Sequence, residues 1–257
     1  MSDAQVIQLP RPQRTRVVQP VTAANETGSR PVLCLCEDGK KYWCKGHSED
    51  SPDEAVNEIV SVEVGKALGA PVLDWAVVDV PNSLAGRRVG KGSLSRRPMF
   101  GSLEKAGTNH RYDVTSIRRD GNAERVPYLV ALWKLCNAED IQMLYCLAED
   151  DQVWSIDHGF WFGSHEGPRG LFMPSELAGR TEIPKIGRGT SVEAWESATE
   201  AVSSLRRPDL AHIPSMIPAE WNVDPREVED IINYVLERVP YTVKTLEDYG
   251  RLARKEL

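Results

Sequence analysis

Two short β-prone runs, Val32-Leu33-Cys34-Leu35-Cys36 and Lys41-Tyr42-Trp43-Cys44-Lys45, flank the turn Glu37-Asp38-Gly39-Lys40, and a helix signal follows soon after. The Asp-Gly pair supplies the backbone angles of a tight hairpin, so the runs predict paired strands, with Lys45 closing the second. Ser51 stands as a candidate N-cap, Pro52 at the first helical position and Glu54 at capping-box spacing. Val56, Ile59, Val60, Val64, Ala67 and Leu68 fall on one stripe, and Gly69 ends the helix. Pro71 to Val80 predicts a further buried strand, bounded by Pro81-Asn82. Strands joined to an amphipathic helix make this part of the chain α+β.

Residues 1–27 are polar, proline-punctuated and aperiodic, and predict a mobile tail, with order beginning near Gly28-Ser29-Arg30. From Ser83 to Arg125 the chain is rich in Gly, Arg, Lys and Ser. Arg87, Arg88, Lys91, Arg96 and Arg97 form a local basic excess there, either a solvated loop or one facing a substrate or phosphate. Val126 to Cys136 predicts a helix and Asn137 to Gln142 a polar connector. Two strands follow, around Leu144–Ala148 and Gln152–Ile156, with Glu149-Asp150-Asp151 between them. Residues 163–190 carry six glycines and several charges and predict a long loop. Helices are expected over roughly 191–206, 225–238 and 242–256, with Pro208, Pro214 and Pro218 breaking the path between the first two.

At 257 residues the chain makes one large or two small domains. Its formal net charge of −7 argues against a dedicated nucleic-acid binder. No apolar run approaches the ~20 residues of a membrane span, and no signal-peptide core follows Met1. The five cysteines (Cys34, Cys36, Cys44, Cys136, Cys146) lie in apolar stretches and read as buried free thiols in a reducing cytoplasm. Zinc is disfavoured, because Cys34 and Cys36 occupy alternate strand residues and His47 is the only imidazole nearby.

Trp154-Ser155-Ile156-Asp157-His158-Gly159 is an apolar strand that ends on an acid, with a glycine just after it. Such a carboxylate is placed to hold a metal ion against a phosphate, although Asp and Gly also end ordinary strands. Lys45 can bury its stem and reach an α/β-phosphate, or simply extend to water. A buried lysine needs a carboxylate partner, and the helix offers two. Glu63 shares the apolar stripe and Glu58 projects from roughly the opposite side, so helical phase favours Glu63. Asp140, in a loop between helix and strand, suits an acid that orients an acceptor hydroxyl, with Asn137, Glu139 and Gln142 beside it; the alternative is a plain polar exit loop. Gly28-Ser29, before the first strand, would let backbone amides approach phosphates.

Taken in order, Gly28-Ser29, Tyr42-Trp43-Cys44-Lys45, Asn57-Glu58, Leu68-Gly69-Ala70-Pro71-Val72, Asn137-x-x-Asp140 and Ser155-Ile156-Asp157-His158-Gly159 resemble the HipA-like kinase family in its compact branch. The resemblance runs from about Gly28 to Phe162. It implies a two-lobed protein-kinase-like α+β fold, with a HipA-like kinase domain over residues 28–257. A small β-rich N-lobe with one helix would cover about 28–81, a mainly helical C-lobe about 82–257, and ATP and Mg2+ would lie between them. It further implies that Lys45 binds ATP phosphates, that Glu58 rather than Glu63 pairs with it, that Asp140 is the catalytic-loop acid and that Asp157 binds metal.

The catalytic loop departs from the family pattern. That pattern runs Asn-x-Asp-Arg and then reaches a second Asn that holds magnesium. Here Asn137-Ala138-Glu139-Asp140-Ile141-Gln142 has one more residue before the acid, Ile141 in place of the Arg, and no second Asn. Gln142 is the nearest substitute in the catalytic loop and as a metal ligand, while Tyr145 sits nearer the expected spacing but is a poor ligand. The resemblance implies an ATP- and Mg2+-dependent Ser/Thr protein kinase of the cytoplasm, acting on an unknown protein acceptor, with Ser29 a candidate autophosphorylation site. The altered loop leaves open a pseudokinase that binds nucleotide or a partner. A nucleic-acid or partner adaptor working through Arg87, Arg88, Arg96, Arg97 and the basic terminal helix is opposed by the net acidity.

Overall fold

A computed structural model describes residues 10–24, 30–46, 52–119, 121–164, 168–172, 176 and 182–255. In chain order they form β1 (Arg14–Ala23), β2 (Val32–Cys36), β3 (Lys41–Gly46), α1 (Pro52–Leu68), β4 (Trp75–Asp79), β5 (Arg88–Val89), β6 (Gly92–Ser93), β7 (Met99–Leu103) and β8 (Thr108–Arg111). There follow α2 (Asn122–Leu135), β9 (Gln142–Cys146), β10 (Gln152–Ile156), α3 (Val192–Ser204), α4 (Arg207–Leu210), α5 (Ile213–Met216), α6 (Pro225–Glu237) and α7 (Val239–Arg254).

The expected hairpin is β2–β3, and it belongs to a closed barrel in the order β1-β2-β3-β7-β4. β1 runs antiparallel to β2 and parallel to β4, and β7 lies antiparallel between β3 and β4. Val17, Val32, Cys44, Ala76 and Met99 fill the interior together with Leu94, which follows the β5–β6 hairpin. β7 passes close to its neighbours at Gly101, where a Cβ would stand 2.5 Å from Val78 Cγ2.

Two boundaries are thereby corrected. The first 27 residues are not all tail: Arg14–Ala23 is a strand of the barrel. Only Thr15, Val17 and Ala23 of it are buried, so it lacks the apolar alternation of a strand, and register shifts on either side of Pro20 let the proline into the ladder. The barrel also does not stop near residue 81, where the small lobe was expected to end, because β7 supplies a strand of it as far as Leu103. The stretch expected to be irregular from Ser83 onward holds β5, β6, β7 and β8.

α1 is buried at every residue from Ala55 to Gly65, while Ala67, placed on the apolar stripe by phase, is exposed. Its apolar residues pack with α2 and the later helices, in a core separate from the barrel interior. The helix ends in a Schellman turn: Ala70 N–H donates to Gly65 O at 2.8 Å and Gly69 N–H to Lys66 O at 3.1 Å, with Gly69 at φ +77°. The chain leaving that turn meets β10, through a bridge between Val72 and Ser155 and a 2.8 Å bond from Ser155 N–H to Pro71 O. The end of β10 is thus fastened beside α1.

β8, β9 and β10 form a second sheet, in the order β10-β9-β8. Segments near α5 and α6 grip β1, α1 and the chain entering β7. Trp221 Nε1 donates to Pro98 O at 2.7 Å, His212 Nε2 lies 2.8 Å from Glu63 Oε2, and Arg14 pairs with both Asp79 and Glu220. The described residues between 163 and 190 form no helix or strand. All five cysteines are buried, and no described helix is long and apolar enough to cross a membrane.

Candidate active site

Strand alternation puts Trp43 and Lys45 on one face of β3, opposite Phe100 of β7, which pairs with Lys45. Lys45 Nζ donates to Glu58 Oε1 of α1 at 2.5 Å and also pairs with Asp157 at the end of β10. The lysine and glutamate side chains are 10% and 3% exposed, that of Asp157 17%. Burial alone would lower the lysine pKa, but Asp157 and Glu58 overcome it and leave the pKa raised. For Glu58 burial pushes upward, and Lys45 together with His158 outweighs it, holding the carboxyl well below its ordinary range.

The turn after β10 is organised by the same turn of α1. Asp157 has φ +58°, a left-handed conformation that a non-glycine residue adopts only when its surroundings hold it there. His158 is buried, with Nε2 3.0 Å from Ser155 Oγ, Nδ1 3.2 Å from Glu58 Oε2 and its ring edge-on to Trp161. Asn57 Nδ2 lies 2.7 Å from Gly159 O, 3.1 Å from Trp161 O and 2.9 Å from Ser164 Oγ. Two N–H groups are thus shared among three acceptors. The dipeptide Asn57-Glu58 therefore holds the lysine with one side chain and the chain beyond Asp157 with the other.

Glu63 has a different task. It accepts from Trp75 Nε1 at 2.7 Å and from His212, and so joins α1 to β4 and to the segment before α5. Helical phase ranked the two acids wrongly because α1 is covered on all sides. Both carboxylates are buried, each toward its own partner.

Trp43, Lys45, Glu58, Phe100, Gln142, Leu144, Ile156 and Asp157 line a cleft of about 270 Å³, closed at one rim by Ala24 and Pro31. Gln142 pairs with Ile156 across the β9–β10 ladder, which sets it next to Asp157. Its Nε2 donates to Asp140 Oδ2 at 2.6 Å, which leaves its carbonyl oxygen for the cleft. Asp140 itself is exposed, at φ +48°, and does not line the cleft. The Tyr145 hydroxyl is occupied elsewhere, accepting from Thr115 N–H at 2.9 Å and donating to Asp113 O at 3.2 Å. Gly28 and Ser29 lie outside the described residues, as does Ser51. Among the described residues, no group of three or more His, Cys, Asp or Glu is assembled as a metal cage.

The apolar walls Trp43, Phe100, Leu144 and Ile156 were missed from sequence. The alternation that placed Lys45 on β3 also placed Trp43 beside it, so this one wall was readable.

The family model for HipA-like kinases matches residues 17–120. Among solved structures, the Helicobacter pylori proinflammatory kinase CtkA aligns at 8% identity over 90% of this chain and 94% of its own, with a TM-score of 0.53. The likeness extends to fold alone. A Golgi casein kinase solved with Mn and ADP aligns at 11% identity over 93% of this chain and 74% of its own, with a TM-score of 0.47. No curated protein matches. Residues 17–120 are thus similar to the HipA-like kinase family, and the fold is similar to that of CtkA.

Proposed function

We propose that the protein is an ATP- and Mg2+-dependent phosphotransferase, acting as a Ser/Thr protein kinase. The observation that carries this reading is the meeting of Lys45, Glu58 and Asp157 in one cleft with apolar walls. Walls of Trp43, Phe100, Leu144 and Ile156 suit a nucleotide base, and the charged floor suits its phosphates. The donor set fits magnesium: Asp157 and the Gln142 carbonyl are hard oxygen ligands on adjacent strand ends. Magnesium commonly takes only one or two carboxylates from a protein, with phosphates and water completing its shell, so the lack of a three-residue cage is no obstacle.

A divalent ion in that position neutralises charge on the transferring phosphate. The chain's own residues do the rest. Lys45 clamps the α/β-phosphates and Glu58 holds Lys45 in place. Asp140 orients the acceptor hydroxyl, and Gln142 steadies Asp140 through its amide. These roles are positioning and charge stabilisation. Catalytic metal-stimulated ATP consumption, with nucleotide binding in parallel, tests them. Asp157→Ala and Asp140→Ala should each lower turnover by about a hundredfold or more, with binding retained in Asp140→Ala. Failure of the wild-type protein to bind nucleotide overturns the proposal.

A second reading, a pseudokinase, is favoured by one feature. Asp140 is exposed and outside the cleft lining, and the buried Ile141 stands where the family pattern has an Arg. Nucleotide binding without turnover in the wild type selects it.

A further inference from the structure

Between Asp79 and Glu104 the chain has no acid and five cations, Arg87, Arg88, Lys91, Arg96 and Arg97, in a protein of net charge −7. All five lie on or beside the β5–β6 hairpin. Arg87, Arg88, Arg96 and Arg97 are exposed, and none pairs with a described acid. The frame beneath them is fixed. Leu94 is buried in the barrel core, Leu94 N–H donates to Arg87 O at 3.0 Å, and Gly86 N–H donates to Leu94 O at 2.8 Å. Gly92 presses so closely on the barrel that a Cβ would stand 2.6 Å from Arg30 O and 3.4 Å from Ala23 Cβ. Like charges gathered on a rigid frame repel one another, and an anionic ligand would relieve that repulsion.

The hairpin's neighbours locate it. Arg30 and Ala23 touch Gly92, and Gly46 packs against Ser95, whose Cβ is 3.2 Å from the position of a Gly46 Cβ. Each of the three is the chain neighbour of a cleft residue: Pro31, Ala24 and Lys45. The hairpin is therefore packed on backbone that leads directly into the cleft lining at its Lys45 end. We propose that Arg87, Arg88, Arg96 and Arg97 dock an acidic segment of the protein acceptor; that the docked partner is the acceptor rests on the kinase reading. A nucleic acid fits less well, because the patch is one hairpin wide and the acidic remainder of the molecule repels a long polyanion.

The probe is a fluorescein-labelled peptide of about ten alternating Glu and Asp residues, followed by anisotropy at about 50 and about 200 mM salt. The full chain is compared with R87A/R88A, R96A/R97A and the fourfold variant, with a short DNA duplex in parallel. Each pair of substitutions should weaken peptide binding about threefold, and the fourfold variant about tenfold or more. Added salt should weaken binding by the wild type, while ATP consumption without a protein acceptor stays unchanged in the variants. Peptide binding that is absent, or equal in the fourfold variant, overturns the proposal, and so does tighter binding of the duplex. Arginine-dependent peptide binding with no ATP turnover sustains the docking surface and refutes the kinase reading alone.

Discussion

Replacing Lys45 by alanine removes the cation that bridges Glu58 and Asp157, whose side chains are 3% and 17% exposed. Removing one partner of a buried ion pair destabilises by about 3–5 kcal/mol, because the remaining charge is left uncompensated. Asp157 can regain some hydration, so about 3 kcal/mol is expected near pH 7.5. The effect also has a pH signature. In the wild type the Glu58 carboxyl is held low, so its stabilising contribution is complete above the ordinary carboxylate pKa and is lost as pH falls through the lower folded value. In the variant the carboxyl loses the pull of Lys45 and keeps that of His158, so burial moves it upward from its wild-type value and acid is expected to stabilise the folded variant relative to neutral pH. The trend in the variant narrows the gap between the two proteins as pH falls from 7.5 to 5, while the wild-type contribution is still complete at pH 5. Urea unfolding, followed by tryptophan fluorescence and far-UV circular dichroism at both values, measures it. A narrowing of about 1 kcal/mol corresponds to somewhat under one pKa unit. A difference below about 1 kcal/mol at pH 7.5, or one that does not change with pH, would refute the reasoning.

Three further outcomes are expected. Asn57→Ala leaves the Ser164 hydroxyl to serve the carbonyls of both Gly159 and Trp161 and should lower stability by about 2 kcal/mol, with faster amide exchange across 159–164; exchange unchanged there would show the clamp to be unimportant. Glu58→Gln should weaken ATP binding, whereas Glu63→Gln should lower the melting temperature with ATP affinity unaltered; equal effects on affinity would contradict the separate tasks of the two acids. Arg238→Leu deprives the Lys134 carbonyl of the 2.7 Å bond that caps the end of α2, and a loss of about 2 kcal/mol is expected in thermal unfolding; a change under about 0.5 kcal/mol would deny that cap its role.

The parts of the fold that local signals specify were readable. The β2–β3 hairpin, α1 and its glycine stop, and β10 ending at Asp157 each carry their own turn, cap or strand-end chemistry. The barrel's closure was not, because it depends on contacts between residues far apart in sequence. β1 is mostly polar and holds Pro20, and β7 (Met99–Leu103) contains Gly101, so neither has the alternation of an ordinary strand. In the candidate site Lys45 and Asp157 were visible as strand ends, and the family resemblance chose Glu58 where phase chose Glu63. That preference agrees with the contacts, since Glu58 meets Lys45 and Glu63 meets Trp75. The Asn57 clamp was hidden, because its partners are mostly backbone carbonyls about a hundred residues away, and a carbonyl has no sequence signature. The exposure of Asp140 was equally invisible, since it depends on a left-handed turn at a residue that is not glycine.

The bonds behind the cleft bear on how the chain comes apart. Arg14, near the start of the described residues, is tied to Glu220, Pro98 accepts from Trp221, and Glu63 meets His212. The last helices are thereby fastened to the first strands, and α1 lends its apolar side chains to the core they share. Parts so joined cannot melt one after the other like beads on a string. Unfolding should be a single event, and losing the first strands or the last helices should undo the far part as well as the near one.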